Sequence, residues 1–246
     1  MNIRVAHLYP ELLNIYADRG NIAVLATRAQ ARGHALHVTA ITLGDRLDPA
    51  DFDLYYLGGG QDREQQLVAS DLARRATTLR SAHDDGAVFL AVCGGYQLLG
   101  RGYRDTSGVD LPGVGLLPAE TVAGTRRLIG DVLLSCDWAE GSTLAGFENH
   151  AGRTTLDAGA EPLGRVIAGY GNDGESHAEG CRVGRAYGTY LHGPLLPRNP
   201  WFADRLLSEA LEHQTGRPIE LSPIDDTLER AAHEVAAGRA RTRGGR

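Results

Sequence analysis

The stretch Ala87-Val-Phe-Leu-Ala-Val-Cys93-Gly94-Gly95-Tyr96-Gln97-Leu98-Leu99-Gly100 decides the fold. Ala87 to Val92 is an unbroken apolar run of the kind buried on both faces of a parallel sheet, and a helix-compatible run follows it. The cysteine between them, with glycines on its C-terminal side, reads as a nucleophile elbow. Such a sharp strand-to-helix turn strains the backbone of the reactive residue and needs small neighbours. The helix N-terminus would lower the thiol pKa, and the Gly94 N–H would point where an oxyanion forms. As a bare pattern, a cysteine before two glycines also fits a buried structural thiol; its position after a strand favours the functional reading.

Outward from this segment the chain alternates strand with helix, the signature of an α/β sheet. Ile3 to Leu8 predicts a first strand. Ile22, Leu25 and Ala29 recur at helical spacing from Asn21 to Arg32, with Gly33 as a stop, and Leu36, Val38 and Ala40 then alternate as in a strand. Phe52 to Leu57 predicts a strand ending in Gly58, Gly59 and Gly60, followed by one charge-rich helix from about Gln61 to Arg80. Between Leu111 and Gly180 helix signals are scarce and short strands such as Leu128 to Leu134 and Arg165 to Ala168 dominate. Ala186 to Leu191 predicts another strand. Asn199 as N-cap and Pro200 at the first helical position open a helix with Phe202, Leu206, Leu207 and Leu211 on one face. A last helix is expected to open at Ser222 and Pro223, run through Ile224, Leu228 and Val235, and stop at Gly238. The expected organisation is a single domain over residues 1–238 with a frayed basic tail from Arg239 to Arg246.

All 25 basic residues of the 246-residue chain are arginine. The absence of lysine excludes a Schiff base, a lysine general base and a P-loop lysine in this chain, so any ATP is expected on another chain. A net charge of −6 with 6% aromatic residues argues against a nucleic-acid surface. No apolar run approaches the roughly 20 residues of a membrane helix, and Met1 to His7 has no secretory leader, so a cytoplasmic protein is expected. Cys93, Cys136 and Cys181 form no C-x-x-C pair, which supports neither a disulfide framework nor a metal site.

A reactive thiol needs a proton partner. Tyr187-Gly188-Thr189-Tyr190-Leu191-His192-Gly193 offers His192 at the end of another predicted strand. Ligands gather at the carboxyl ends of parallel strands, where Cys93 and His192 can converge. The Gly58-Gly59-Gly60 loop is a third converging element whose N–H groups could complete an oxyanion hole, although each feature alone could be incidental.

Together, the glycine loop, the Val-Cys-Gly-Gly-Tyr-Gln-Leu-Leu-Gly elbow and the Tyr-Gly-Thr-Tyr-Leu-His-Gly strand resemble class I glutamine amidotransferases of the cobyric acid synthase-like branch. Four further stretches are similar to the glutaminase subunits of lipid II isoglutaminyl synthases. They are Leu12 to Asn21 (LLNIYADRGN), Thr125 to Asp131 (TRRLIGD), Gly146 to Thr154 (GFENHAGRT) and Gly171 to Glu175 (GNDGE). The resemblance covers about residues 2 to 212 and implies a flavodoxin-like, largely parallel open sheet with helices on both faces.

It also implies hydrolysis of L-glutamine to glutamate and ammonia. Cys93 would be the nucleophile, His192 the acid–base partner, and Gly94 with Gly59 or Gly60 the oxyanion donors. Arg127, or the adjacent Arg126, would bind the α-carboxylate, with Gln97 as a further substrate contact or a mere pocket cap. The family's usual His-Pro-Glu run is missing, because Gly193 and Pro194 follow His192. Asp18, Glu148 and Glu175 are therefore candidates to orient the imidazole, while Glu148 and His150 could instead line a partner-facing surface. No cofactor or metal is implied in this chain. ATP and magnesium would sit on a MurT-type, Mur-ligase-like synthetase partner, which would amidate the D-glutamate α-carboxylate of lipid II to D-isoglutamine. Two alternatives are an amidotransferase serving a corrin-type acceptor and a catalytically silent positioning subunit.

Overall fold

The computed structural model describes residues 1–15 and 19–243. In chain order its elements are β1 (Asn2–Leu8), α1 (Arg19–Ala31), β2 (Ala35–Ile41), β3 (Leu54–Leu57), α2 (Asp62–Arg74), α3 (Ala76–Asp84), β4 (Val88–Val92), α4 (Gly94–Leu99), β5 (Gly102–Arg104), β6 (Asp110–Pro112), β7 (Ala119–Cys136), β8 (Ser142–Leu156), β9 (Gly164–Ala168), β10 (Ala178–Glu179), β11 (Cys181–Val183), β12 (Ala186–Thr189), α5 (Pro200–Thr215) and α6 (Thr227–Arg243).

Six strands form the first sheet in the order β11-β12-β4-β3-β1-β2, parallel throughout except for β11. The α/β expectation is borne out. Every residue of β3, β4 and β12 is buried, as unbroken apolar runs require in the middle of a helix-flanked parallel sheet. Each large apolar side chain so placed contributes about 1.5–3 kcal/mol of transfer free energy. At the sheet's edge β2 keeps the expected extended form, but Val38 and Ala40 are exposed there.

The helix-poor middle of the chain builds a second sheet, in which β8 runs antiparallel along β7 with a register break between Ala123 and Leu128. Helix α5 presents Phe202, Leu206, Leu207 and Leu211 to the core as its periodicity predicts. Asn199 occupies the N-cap position, yet its side chain bonds the backbone of Ala145 and Leu195, fastening the helix start to β8 rather than capping it.

Three expectations are corrected. The single helix over Gln61–Arg80 is two helices, because Arg75 leaves helical geometry (φ −84°, ψ −2°) while its buried guanidinium bonds Asp71 and the Thr42 carbonyl. The last helix starts at Thr227, whose N–H and hydroxyl both donate to Asp225, rather than at Ser222. It also continues through Gly238 to Arg243 instead of fraying, because Ala236, Ala237 and Ala240 pack on Leu133, Ala145 and Ala168 of the second sheet. Leu228 and Val235, through which the helix was expected to run, lie on its exposed side; residues 244–246 lie outside the described residues.

Ion pairs tie these helices together. The Arg28 guanidinium of α1 bonds Asp204 of α5 at 2.7 Å and Asp226, just ahead of α6, at 2.6 Å, and Arg32 joins Asp204 at 2.7 Å. Arg28 is buried, and removing it leaves the Asp226 carboxylate without its guanidinium, while Asp204 keeps Arg32. Arg28→Leu should therefore lower the unfolding free energy by about 3 kcal/mol. Urea denaturation measures this, and a midpoint indistinguishable from wild type would show that the pairs hold nothing together.

Candidate active site

Three neighbouring parallel strands, β3, β4 and β12, end at the same edge of the first sheet, in register Leu57 with Ala91 and Val92 with Thr189. The loops that follow carry Gly58–Gly60, Cys93 and Tyr190–Gly193, so the sheet brings all three expected elements to adjacent positions. The Cys93 N–H donates to the Thr189 carbonyl at 2.8 Å, which extends the β4–β12 pairing onto the cysteine itself. Cys93 has φ 50° and ψ −106°, a region costly for any residue with a Cβ, and α4 begins directly after it. Gly94 and Gly95 are required by close approach. A Cβ on Gly94 would lie 2.8 Å from Gly60 N, and one on Gly95 would lie 2.8 Å from the Leu57 carbonyl oxygen. The Gly95 N–H donates to Gly58 O, locking the elbow helix to the glycine loop.

A cleft of about 560 Å³ opens at this edge, lined among others by Gly60, Gln65, Cys93, Gln97, Arg127 and His150. Arg127, not Arg126, faces the cleft, and its guanidinium bonds the side-chain and backbone oxygens of Asn149 at 2.6 Å each. The second sheet supplies this far wall, since Arg127 lies at the β7 register break and His150 on β8. Cys136 and Cys181 are buried elsewhere, and burial pushes both thiols up to about 12, so Cys93 is the described thiol placed for chemistry.

Behind the cleft sits a buried polar cluster. His150 donates from Nδ1 to Gly152 O, stacks on Tyr190 with 3.5 Å between ring centres, and turns Nε2 toward Glu148 Oε2 at 3.6 Å. Burial holds its pKa below the ordinary 6.5 against the opposing pull of Glu148. The Glu148 carboxylate accepts the N–H groups of Tyr170 and Gly171. The Tyr190 hydroxyl meets the Gln97 side-chain amide at 3.2 Å and pairs with Thr154. His192 is fully buried, and its backbone is bridged to Phe147 of β8, the N–H donating at 2.7 Å.

Of the candidates to orient His192, Asp18 lies outside the described residues, and Glu175 is exposed in a turn built on Asp173, so it gives way as an orienter. Glu148 and His150 are buried rather than on a partner-facing surface, a correction that follows from β8 lying across the sheet edge.

The CobB/CobQ-like glutamine amidotransferase domain matches residues 4–200 of the chain. A lipid II isoglutaminyl synthase (glutamine-hydrolysing) subunit GatD from Staphylococcus aureus strain N315 is 40% identical over 238 residues, 97% of this chain and 96% of that protein. The subunit of the same name from Streptococcus pneumoniae strain R6 is 40% identical over 92% of this chain and 87% of its own length. A cobyric acid synthase from Roseiflexus castenholzii is 34% identical over 63% of this chain but only 32% of its own length. Among solved structures, PurLQS from Thermotoga maritima superposes with a TM-score of 0.62 at 18% identity, covering 87% of this chain and all of the matched one. A glutamine amidotransferase from the same organism gives 0.53 at 17% identity over 98% and 95% of the two chains. At such identities the superpositions speak for the fold.

Sequence reasoning missed Glu179 and Gln65. Gln65 shares the buried stripe of α2 with Val68, Ala69 and Leu72, so a polar residue at an apolar helical position was the legible signal. Glu179 carried none beyond standing before Gly180. It is fully buried and accepts from the Tyr190 N–H at 2.6 Å and from the Thr189 hydroxyl, directly upstream of His192. Burial pushes its carboxyl up to about 8, with Glu148 adding to the rise and the Tyr190 N–H, the Thr189 hydroxyl and His192 opposing it. The folded chain therefore keeps a proton on Glu179 that the unfolded chain releases near the ordinary 4.5. Its contribution to stability is complete below that value and is lost as the pH rises toward about 8. Glu179→Gln should flatten the fall in unfolding free energy between pH 5 and pH 8, read by urea denaturation at both pH values; an unchanged fall would place the titration elsewhere.

Proposed function

The chain belongs to the CobB/CobQ-like glutamine amidotransferase domain family, and from this we propose that it is the glutaminase subunit of a lipid II isoglutaminyl synthase. The 40% identity to two such subunits over nearly the whole of both chains supports the acceptor assignment. The cobyric acid synthases, which the chain matches over about a third of their length, support it less. The observation that carries the hydrolytic chemistry is the direct pairing of the Cys93 backbone with the strand that leads into His192.

In the proposed reaction His192 takes the Cys93 proton as the sulfur attacks the side-chain amide carbon of glutamine. The N–H groups of Gly94 and of Gly59 or Gly60 hold the resulting oxyanion. Collapse of the tetrahedral adduct expels the nitrogen, to which His192 returns the proton, releasing ammonia and leaving a thioester on Cys93. Water, deprotonated by His192, then cleaves the thioester to glutamate and restores the thiol. Arg127 holds the α-carboxylate through its planar fork, exchanging part of its present contact with Asn149 for substrate, and Gln97 adds a polar contact on the cleft floor.

Ammonia serves synthesis only if it meets an activated acyl group. With no lysine for a phosphate loop in this chain, that activation falls to a Mur-ligase-like, MurT-type synthetase subunit. The partner binds ATP and magnesium, activates the α-carboxylate of D-glutamate in the lipid II stem peptide and forms D-isoglutamine. No helix among the described residues is long and apolar enough to cross a membrane. We place the complex in the cytoplasm, reaching the inner leaflet through lipid II.

Cys93→Ser, assembled with the synthetase, should lose glutamine-dependent amidation while keeping amidation from added ammonium chloride; glutamine use at the wild-type rate would refute the nucleophile. Arg127→Met should raise KM for glutamine about 10-fold or more with a smaller effect on kcat, the signature of lost ground-state binding. A fall in kcat alone would remove Arg127 from the substrate.

A further inference from the structure

The floor of the Cys93 cleft carries an acceptor that the reaction as derived leaves unused. Gln65, on the first turn of α2, is 2% exposed and lines the cleft. Its Nε2 donates to the Gly60 carbonyl at 3.1 Å. Because a backbone carbonyl can only accept, this bond fixes the amide with nitrogen toward Gly60 and oxygen away from it. Gln65 Oε1 is buried and accepts no hydrogen bond from the described residues. Gln97 differs in this respect, since its Nε2 meets the Tyr190 hydroxyl, a group that can both donate and accept, which leaves either orientation open. A buried acceptor left without a donor is costly, and in a binding cleft the donor is supplied by the ligand.

The position of that acceptor selects the donor. A Cβ on Gly94, the residue after the nucleophile, would lie 3.1 Å from Gln65 Cδ and 2.8 Å from Gly60 N. The Gln65 amide therefore stands at the reacting end of the cleft, beside the elbow and the glycine loop, whereas Arg127 lies on the wall formed by the second sheet. At the reacting end glutamine carries one N–H donor group, the NH2 of its side-chain amide. Glutamate carries a carboxylate there, which offers only lone pairs to Gln65 Oε1.

The geometry points to Gln65 as the residue that selects glutamine by its scissile amide: its Oε1 accepts a hydrogen bond from the side-chain NH2 of the bound substrate. This rests on glutamine being the substrate of the Cys93 cleft, and it adds the group by which the site rejects the product glutamate. The interaction lasts until the nitrogen leaves, so it acts on acylation and appears in kcat/KM.

The test compares kcat/KM of wild type and Gln65→Met, each as the full chain assembled with its synthetase, on L-glutamine and on L-glutamate γ-methyl ester, whose leaving group has no N–H. Damage to the Gly60 loop lowers both rates and cancels in their ratio. The amide-to-ester ratio should fall about 10- to 100-fold in Gln65→Met, the loss expected when a buried hydrogen bond goes unmade. It should stay within a few-fold of wild type in Gln65→Glu, which keeps an acceptor oxygen. An unchanged ratio in Gln65→Met, or an equal collapse in both variants, overturns the assignment.

Glutaramate, which has the amide but no α-ammonium, should lose as much as glutamine in Gln65→Met. If it is spared, the acceptor serves the α-ammonium and the amide assignment falls. A wild-type complex that cleaves none of the three compounds sinks the glutaminase function itself, and with it the role of Gln65. The two failures are thus told apart by the wild-type rates.

Discussion

The hydrogen bond from the Cys93 N–H to the Thr189 carbonyl, 2.8 Å long, is the contact on which the functional end of the molecule depends. It carries the β4–β12 pairing one residue beyond the end of β4 and so couples the elbow backbone to the strand that becomes Tyr190 and His192. On the other side, the Gly95 N–H to Gly58 O bond and the bare Cα of Gly94 press the same elbow against the glycine loop. Residues far apart in the chain become neighbours because parallel strands must all end at one edge. The crossover connections that parallel pairing demands leave these loops free to differ.

The second sheet turns that edge into an enclosed place. Its long hairpin lays β8 across the strand ends, where Phe147 bridges to His192, Glu148 gathers two loop N–H groups and His150 stacks on Tyr190. The ring of Tyr190 is thus shared: one face supports a cleft-lining imidazole, its hydroxyl meets Gln97, and its N–H is held by Glu179. The rise of the Glu179 carboxyl comes first from its burial, with Glu148 adding to it, as expected of an acid held in an apolar interior.

What could be read from the sequence was what local pattern controls. The β4 run, the elbow, the glycine loop and the strand before His192 each announce themselves within a few residues, because burial on both faces and close backbone approach restrict composition strongly at those points. What could not be read depended on distant partners. Helix α2 ends because Arg75 is claimed by Thr42, α6 outlasts Gly238 because three alanines find a sheet, and Asn199 abandons its cap for Ala145. The partner-facing alternative for Glu148 and His150 arose because two ionisable side chains give no hint that β8 turns them, with Gly146, Gly152 and Thr154, onto its buried face. Arg127, which the resemblance already put ahead of Arg126, lines the cleft from the register break in β7.

The backbone of Cys93 bears on stability as well as on reactivity. A side-chain-bearing residue at φ 50°, ψ −106° costs of order 1–3 kcal/mol, a penalty glycine escapes. Glycine at position 93 would relieve that strain and forfeit the sulfur, so stability and the aim of the thiol are set against each other at a single pair of dihedral angles.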